Sequence, residues 1–221
     1  MKMKEGLTKE LIALRIIREF RDGMYINLGV GIPTIIQSFL SSDMDVMIHT
    51  ETGLLGCGRI AEREEWDNDL INAGAQPITI VPGACFFDQV CAFGMMRGGH
   101  LDLTVLGAFE VSEKGDLASW VHPQRAVAGI GGAMDVVNAK AVYVAMEHSD
   151  QEGNPKIRKK CTIPVTAERV VNKVFTDLAV IEVTEKGLVL KETAPEFTAD
   201  EVQERTEAKL IIDDEVKVIE F

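Results

Sequence analysis

Tyr25-Ile26-Asn27-Leu28-Gly29-Val30-Gly31-Ile32-Pro33-Thr34 decides how the fold is read. The first four residues form a short, mostly apolar run of the kind found in strands buried on both faces. Gly29 and Gly31 then turn the chain, and Pro33 suits the first position of a helix over about 34–40, where its missing N–H costs nothing. Buried strand, glycine turn and helix in succession are the repeating unit of an α/β chain.

The alternation extends in both directions. Upstream, Thr8 is placed to cap a helix whose Leu11, Ile12, Ile16 and Phe20 share one face, ending near Gly23. Downstream, short apolar runs predict strands at 46–48, 78–81 (stopped by Pro82-Gly83), 103–106, 141–146, 180–183 and 188–190. Helices are expected over 88–97 and from Thr198, where Thr198 and Glu201 have capping-box spacing. Residues 210–212 and 216–219 read as a last strand or an edge, and the polar stretch 147–160 as an exposed excursion. With no repeat, low-complexity tract or linker, the expectation is one domain over 1–221. Its expected architecture is a three-layer α/β fold, a mostly parallel sheet flanked by helices.

At 221 residues and 24.3 kDa the chain can bury a core without a disulfide or metal staple. Its 46% hydrophobic and 26% charged residues exclude disordered, collagen-like and coiled-coil classes. A net charge of −12 repels a polyanion, so no nucleic-acid partner is expected, although a local site for a small anion remains compatible. No apolar run suits a signal-peptide core or a membrane span, so a cytoplasmic protein with no membrane partner is expected. Cys57, Cys85, Cys91 and Cys161 lack paired spacing and read as free thiols. His49, His100, His122 and His148 lack ligand spacing, so no metal is expected.

Three glycine-rich turns are the candidates for chemistry. The first, Gly29 to Thr34, can face an anion with backbone N–H groups and a helix start. Thr34 stands where a dinucleotide fingerprint needs glycine, and a tight turn without a ligand explains the stretch as well. The second, Gly129-Ile130-Gly131-Gly132-Ala133-Met134-Asp135, suits either oxyanion donors or close packing. The third, His49 to Gly58, places Glu51 just beyond a strand's carboxyl end, where open α/β sheets gather ligands. Nearby Cys57 has no adjacent base, and a solvated loop position is the plain alternative for Glu51. Residues alone thus describe an α/β enzyme with a loop carboxylate and glycine-built anion sites.

Several long segments in order carry a resemblance. They are 27–34, 51–56, Ile71-Asn72-Ala73-Gly74, 81–88, 96–103, 106–111, Gly115-Asp116-Leu117-Ala118-Ser119-Trp120, 159–164 and 176–180. Over about residues 7–212 the chain resembles the B (beta) subunit of a family I coenzyme A-transferase, of the 3-oxoacid and acetoacetate type. The resemblance implies a CoA-transferase moving CoA from an acyl-CoA, such as succinyl-, acetyl- or butyryl-CoA, to a short carboxylic acid such as acetoacetate. CoA is then a substrate, and no cofactor is implied. Glu51 falls on the family's catalytic glutamate, which forms a glutamyl-CoA thioester in a ping-pong cycle.

Gly132, with Gly131 beside it, falls in the segment that supplies the oxyanion hole. Gly29, Gly31, Thr52 and Gly53 are the residues expected to border substrate or CoA. The family's usual Ser-Glu-Asn-Gly is here Thr50-Glu51-Thr52-Gly53, so a hydroxyl replaces an amide beside the nucleophile. The resemblance also implies an A (alpha) subunit as partner, in a heterotetramer of two A and two B. A sugar-phosphate isomerase of the same fold, with Glu51 as base, and a non-catalytic acyl-CoA or sugar-phosphate sensor are the alternatives.

Overall fold

The computed structural model describes residues 4–41, 43–121 and 130–221. Its strands are β1 (Tyr25–Leu28), β2 (Met47–Thr50), β3 (Leu54–Ile60), β4 (Ile78–Phe86), β5 (Leu103–Leu106), β6 (Glu110–Ser112) and β7 (Leu117–Ala118). They continue with β8 (Val142–Ala145), β9 (Ile157–Arg158), β10 (Lys173–Phe175), β11 (Ala179–Thr184), β12 (Gly187–Thr193) and β13 (Leu210–Val218). Ten of them form one sheet in the order β13-β12-β11-β10-β8-β5-β1-β2-β3-β4. The centre, β2-β1-β5-β8-β10, is parallel throughout. Antiparallel pairs flank it, β2-β3-β4 on one side and β10-β11-β12 on the other.

Alternate residues of the central strands enter two cores on opposite faces. Ile26, Leu28, Leu103, Val105 and Ile48 pack with Ile12 and Ile16 of α1 (Lys9–Ile17). Val142, Val144 and Val174 pack on the other face with Met96 of α3 (Gln89–Arg97), Val136 of α4 (Ala133–Val136) and Val202 of α5 (Ala199–Glu204). The expected layering, a mostly parallel sheet between helices, is what the chain adopts.

Local chemistry sets the helix starts. Thr8 accepts from the Leu11 N–H at 3.4 Å, and Asp88 accepts from the Cys91 N–H at 2.8 Å. Thr198 and Glu201 complete the expected capping box. The helix foreseen after Pro33 is one turn of α-helix, α2 (Ile32–Ile35), tightening into a 3₁₀ turn at Ile36–Phe39.

Four expectations are corrected. The stretch read as a glycine loop, 49–58, is a hairpin whose return strand is β3. The strand foreseen to stop at Pro82 continues to Phe86. Proline is tolerated there because β4 is an edge strand and its pairing with β3 is interrupted by register shifts. Within 147–160, β9 is inside, with Ile157 wholly buried, in a small second sheet β7-β6-β9. The first helix also ends at Ile17, short of Gly23.

Candidate active site

Parallel strands β2, β1 and β5 end side by side, so the residues just beyond them converge. Glu51, Gly29 and Gly107 line a cavity of about 530 Å³, closed opposite by Gly131, Gly132 and the start of α4. Gly129 and His122 lie outside the described residues.

The hairpin tip is built to present Glu51. Gly53 donates to Thr50 O at 3.2 Å to close the turn, and Phe87 donates to Gly53 O at 3.0 Å. Gly53 has φ +106°, and a Cβ there would run into the Phe87 carbonyl oxygen, so both conformation and space require glycine. The Thr50 hydroxyl accepts from the Thr52 N–H at 3.0 Å and hydrogen-bonds the Thr52 hydroxyl. Both threonines flanking Glu51 are thus used within the turn.

Across the cavity, the Gly132 backbone amide faces the Glu51 carboxylate. The approach is close: a Cβ on Gly132 would overlap Glu51 Oε2 and stand 3.0 Å from its Cδ. Burial pushes the Glu51 pKa up, the negative charge of Asp135 pushes it further, and the Gly132 N–H pulls it back without cancelling them. Asp135 itself is paired with Arg97, Nε to Oδ1 2.6 Å.

Beneath Glu51 runs a buried polar row. Thr104, Asn27 and His49 are in register on β5, β1 and β2. Asn27 Nδ2 donates to His49 O at 3.2 Å, which fixes the amide's orientation, and lies 3.1 Å from His49 Nδ1. Nδ1 therefore accepts, and the imidazole proton sits on Nε2. Burial drives the His49 pKa down to about 4, so the ring is neutral and stacks on Phe87 at 5.9 Å between centroids. Cys57, considered as a nucleophile from its position, is buried with its thiol pushed up to about 12 and is inert at neutral pH.

Of the residues expected around the site, Glu51, Gly29, Gly131 and Gly132 share the cavity wall. Gly31, Thr52 and Gly53 do not line it. Gly31 precedes α2 at φ +96°, and the other two shape the turn. The wall also takes in Asn27, Ala73, Phe109 and Ser119. Asn27 had a signal, an amide inside a buried apolar strand. Ala73 and Ser119 lie in segments that carry the resemblance, but neither residue marks a site by its own chemistry.

Residues 9–205 match the coenzyme A transferase family. The B-type chain of the Helicobacter pylori succinyl-CoA:3-ketoacid coenzyme A transferase is 45% identical over 202 residues, covering 91% of this chain and 97% of that one. The human mitochondrial succinyl-CoA:3-ketoacid coenzyme A transferase 2 is 45% identical over 206 residues, 92% of this chain but 40% of that protein. Among solved structures, an acyl-CoA transferase of Escherichia coli O157:H7 in thioester complex with CoA superposes with TM-score 0.75 at 20% identity. That match covers 100% of this chain and 44% of the other. With its sequence matched from α1 to the end of α5 and its sheet superposable on that structure, this chain belongs to the coenzyme A transferase family.

Proposed function

We propose that the chain is the catalytic beta subunit of an acyl-CoA:carboxylate CoA-transferase, with Glu51 as the nucleophile. The carrying observation is the Glu51 carboxylate in a cavity at the sheet's carboxyl edge, in close approach to the Gly132 backbone. A carboxylate oxygen attacks the thioester carbonyl; the C–S bond breaks, leaving an acyl-glutamyl anhydride and CoA thiolate. The thiolate then attacks the glutamyl carbonyl, the anhydride C–O bond breaks, and the donor acid departs from a glutamyl-CoA thioester. An acceptor carboxylate reverses both steps and leaves as its CoA ester. Both additions pass through oxyanions, for which Gly132 N–H, with Gly131 beside it, is the donor already in place.

A short acyl donor such as succinyl-CoA and a short 3-oxo acid acceptor are the substrates favoured by the names of the relatives. Those names support an alpha subunit as partner, and the human protein's extra length supports the same chemistry with both halves fused. We place two copies of each chain in the assembly. Given the −12 charge, the groups that hold the CoA phosphates are few and local on this chain or come from the alpha subunit.

Trapping tests the reading. The alpha–beta complex incubated with succinyl-, acetoacetyl- and butyryl-CoA should gain the mass of CoA less one water on Glu51, read by intact mass and peptide mapping. Glu51→Gln should assemble normally and gain nothing. A folded wild-type complex that forms no adduct with any of the three would sink the proposal.

A further inference from the structure

We infer that Arg97 is a positioning residue for Glu51: its ion pair with Asp135 offsets part of the negative charge that acts on the nucleophile and steadies the turn that carries the Gly132 N–H. The inference rests on the reading of Glu51 as nucleophile.

Arg97 ends α3, and its guanidinium lies 5.4 Å from the Phe93 ring centroid, one turn back. From there Nε reaches Asp135 Oδ1 at 2.6 Å. Asp135 shares one tight turn with Gly132, since the N–H groups of Asp135 and Val136 both donate to Gly132 O, at 2.9 and 3.0 Å. Anything that holds Asp135 therefore holds the Gly132 amide opposite Glu51. Exposed ion pairs contribute little to folding stability, and the Arg97 side chain is 65% exposed. Its consequence is instead electrostatic and local, because Asp135 acts on Glu51 directly.

The other described groups near the tip do not substitute for it. Asp88 is engaged at the start of α3 by the Cys91 N–H. His49, below the tip, is neutral. Without the guanidinium, a bare Asp135 charge disfavours ionised Glu51 and weakens the first step at acidic pH.

The test is the pH dependence of the rate of covalent CoA adduct formation on Glu51 in the alpha–beta complex, at low ionic strength. Arg97→Met, which keeps most of the stem, should move the acid midpoint up by roughly 0.5–1 pH unit. Below the midpoint that shift lowers the rate about 3–10-fold. Arg97→Lys should stay near wild type. Arg97→Met combined with Asp135→Asn should return the midpoint to the wild-type value or below it, since no bare charge remains. An unshifted midpoint in Arg97→Met, or an upward shift that persists in the double variant, overturns the inference. Wild-type complex forming no adduct at any pH is a different outcome, and it overturns the Glu51 reading itself.

Discussion

At the scale of single residues, the contact that matters most is between a side chain and a glycine with no side chain. Gly132 has φ −84° and ψ 7°, a conformation open to any L residue, so alanine there strains no backbone. Its methyl would nevertheless occupy the space of Glu51 Oε2. Gly132→Ala should therefore fold with stability within about 1 kcal/mol of wild type. Alanine keeps the N–H but its methyl displaces Glu51 from it, which should cost about 10²–10³ in kcat, the range seen when an oxyanion donor is lost. Steady-state kinetics beside a thermal melt check both halves; unchanged kcat would remove Gly132 from the proposed chemistry. Glu51 itself was legible in sequence, because a carboxylate just past a buried strand stands at the sheet's ligand edge. Its raised pKa was not. Burial in the cavity is its main cause, and Asp135 adds to it only because α4 folds back over the cavity; nothing near residue 51 in sequence announces either.

At the scale of elements, the central parallel strands β1, β2, β5 and β8 were legible because each is a short apolar run between glycine or polar breaks, whereas β10, three residues opening on Lys173, was not foreseen. The flanking hairpin was not. Gly56 and Gly58 made β3 look like loop, yet Gly56 has φ +92° and Gly58 packs against Thr79, both in a strand whose pairing is repeatedly shifted. Also unannounced was how α1 is held. Arg15 pairs with Glu192 at 2.6 Å and with Glu19 at 2.9 Å, and Lys173 reaches Glu19 at 2.7 Å, tying the helix to β12 and β10. These side chains are mostly buried, so Arg15→Ala, which strands Glu192 and leaves Glu19 to Lys173 alone, should cost about 2–4 kcal/mol in denaturant unfolding.

The same network sets an acid response. Burial works to raise the Glu19 pKa, but the hydrogen bonds from Lys173 and Arg15 prevail and hold it below the ordinary 4.5. A depressed carboxylate contributes stability above its unfolded value and loses it as pH falls through the folded one. Unfolding free energy measured from pH 7 downward should therefore begin to fall near the ordinary glutamate value of 4.5. Glu19→Gln should be less stable at pH 7 and lose less on acidification; parallel curves for the two proteins would count against the network.

At the scale of the whole molecule, the two edges of the ten-stranded sheet differ. β13 presents the exposed charges of Glu215 and Lys217, which discourage further pairing. β4 carries no charged residue from Ile78 to Phe86. Phe86 is 66% exposed there, and Val90 just beyond it 82% exposed. Large apolar side chains grouped on an acidic protein mark a surface that another protein covers. Phe87, next to Phe86, holds the Glu51 hairpin through Gly53, so a partner seated on this edge abuts the nucleophile. The proposed alpha subunit fits that position, and the association should be driven mainly by apolar burial rather than by attraction to the −12 charge. Its affinity, measured by calorimetry, should then change less than about threefold between low and high salt, whereas a charge-driven pair weakens steeply. Phe86→Glu with Val90→Glu should leave this chain's own melting temperature within a few degrees, because both side chains are solvent-exposed. The same pair should abolish comigration with the alpha subunit on size exclusion, together with adduct formation at Glu51. A double variant that still assembles and still traps CoA would place the partner on another face of the sheet.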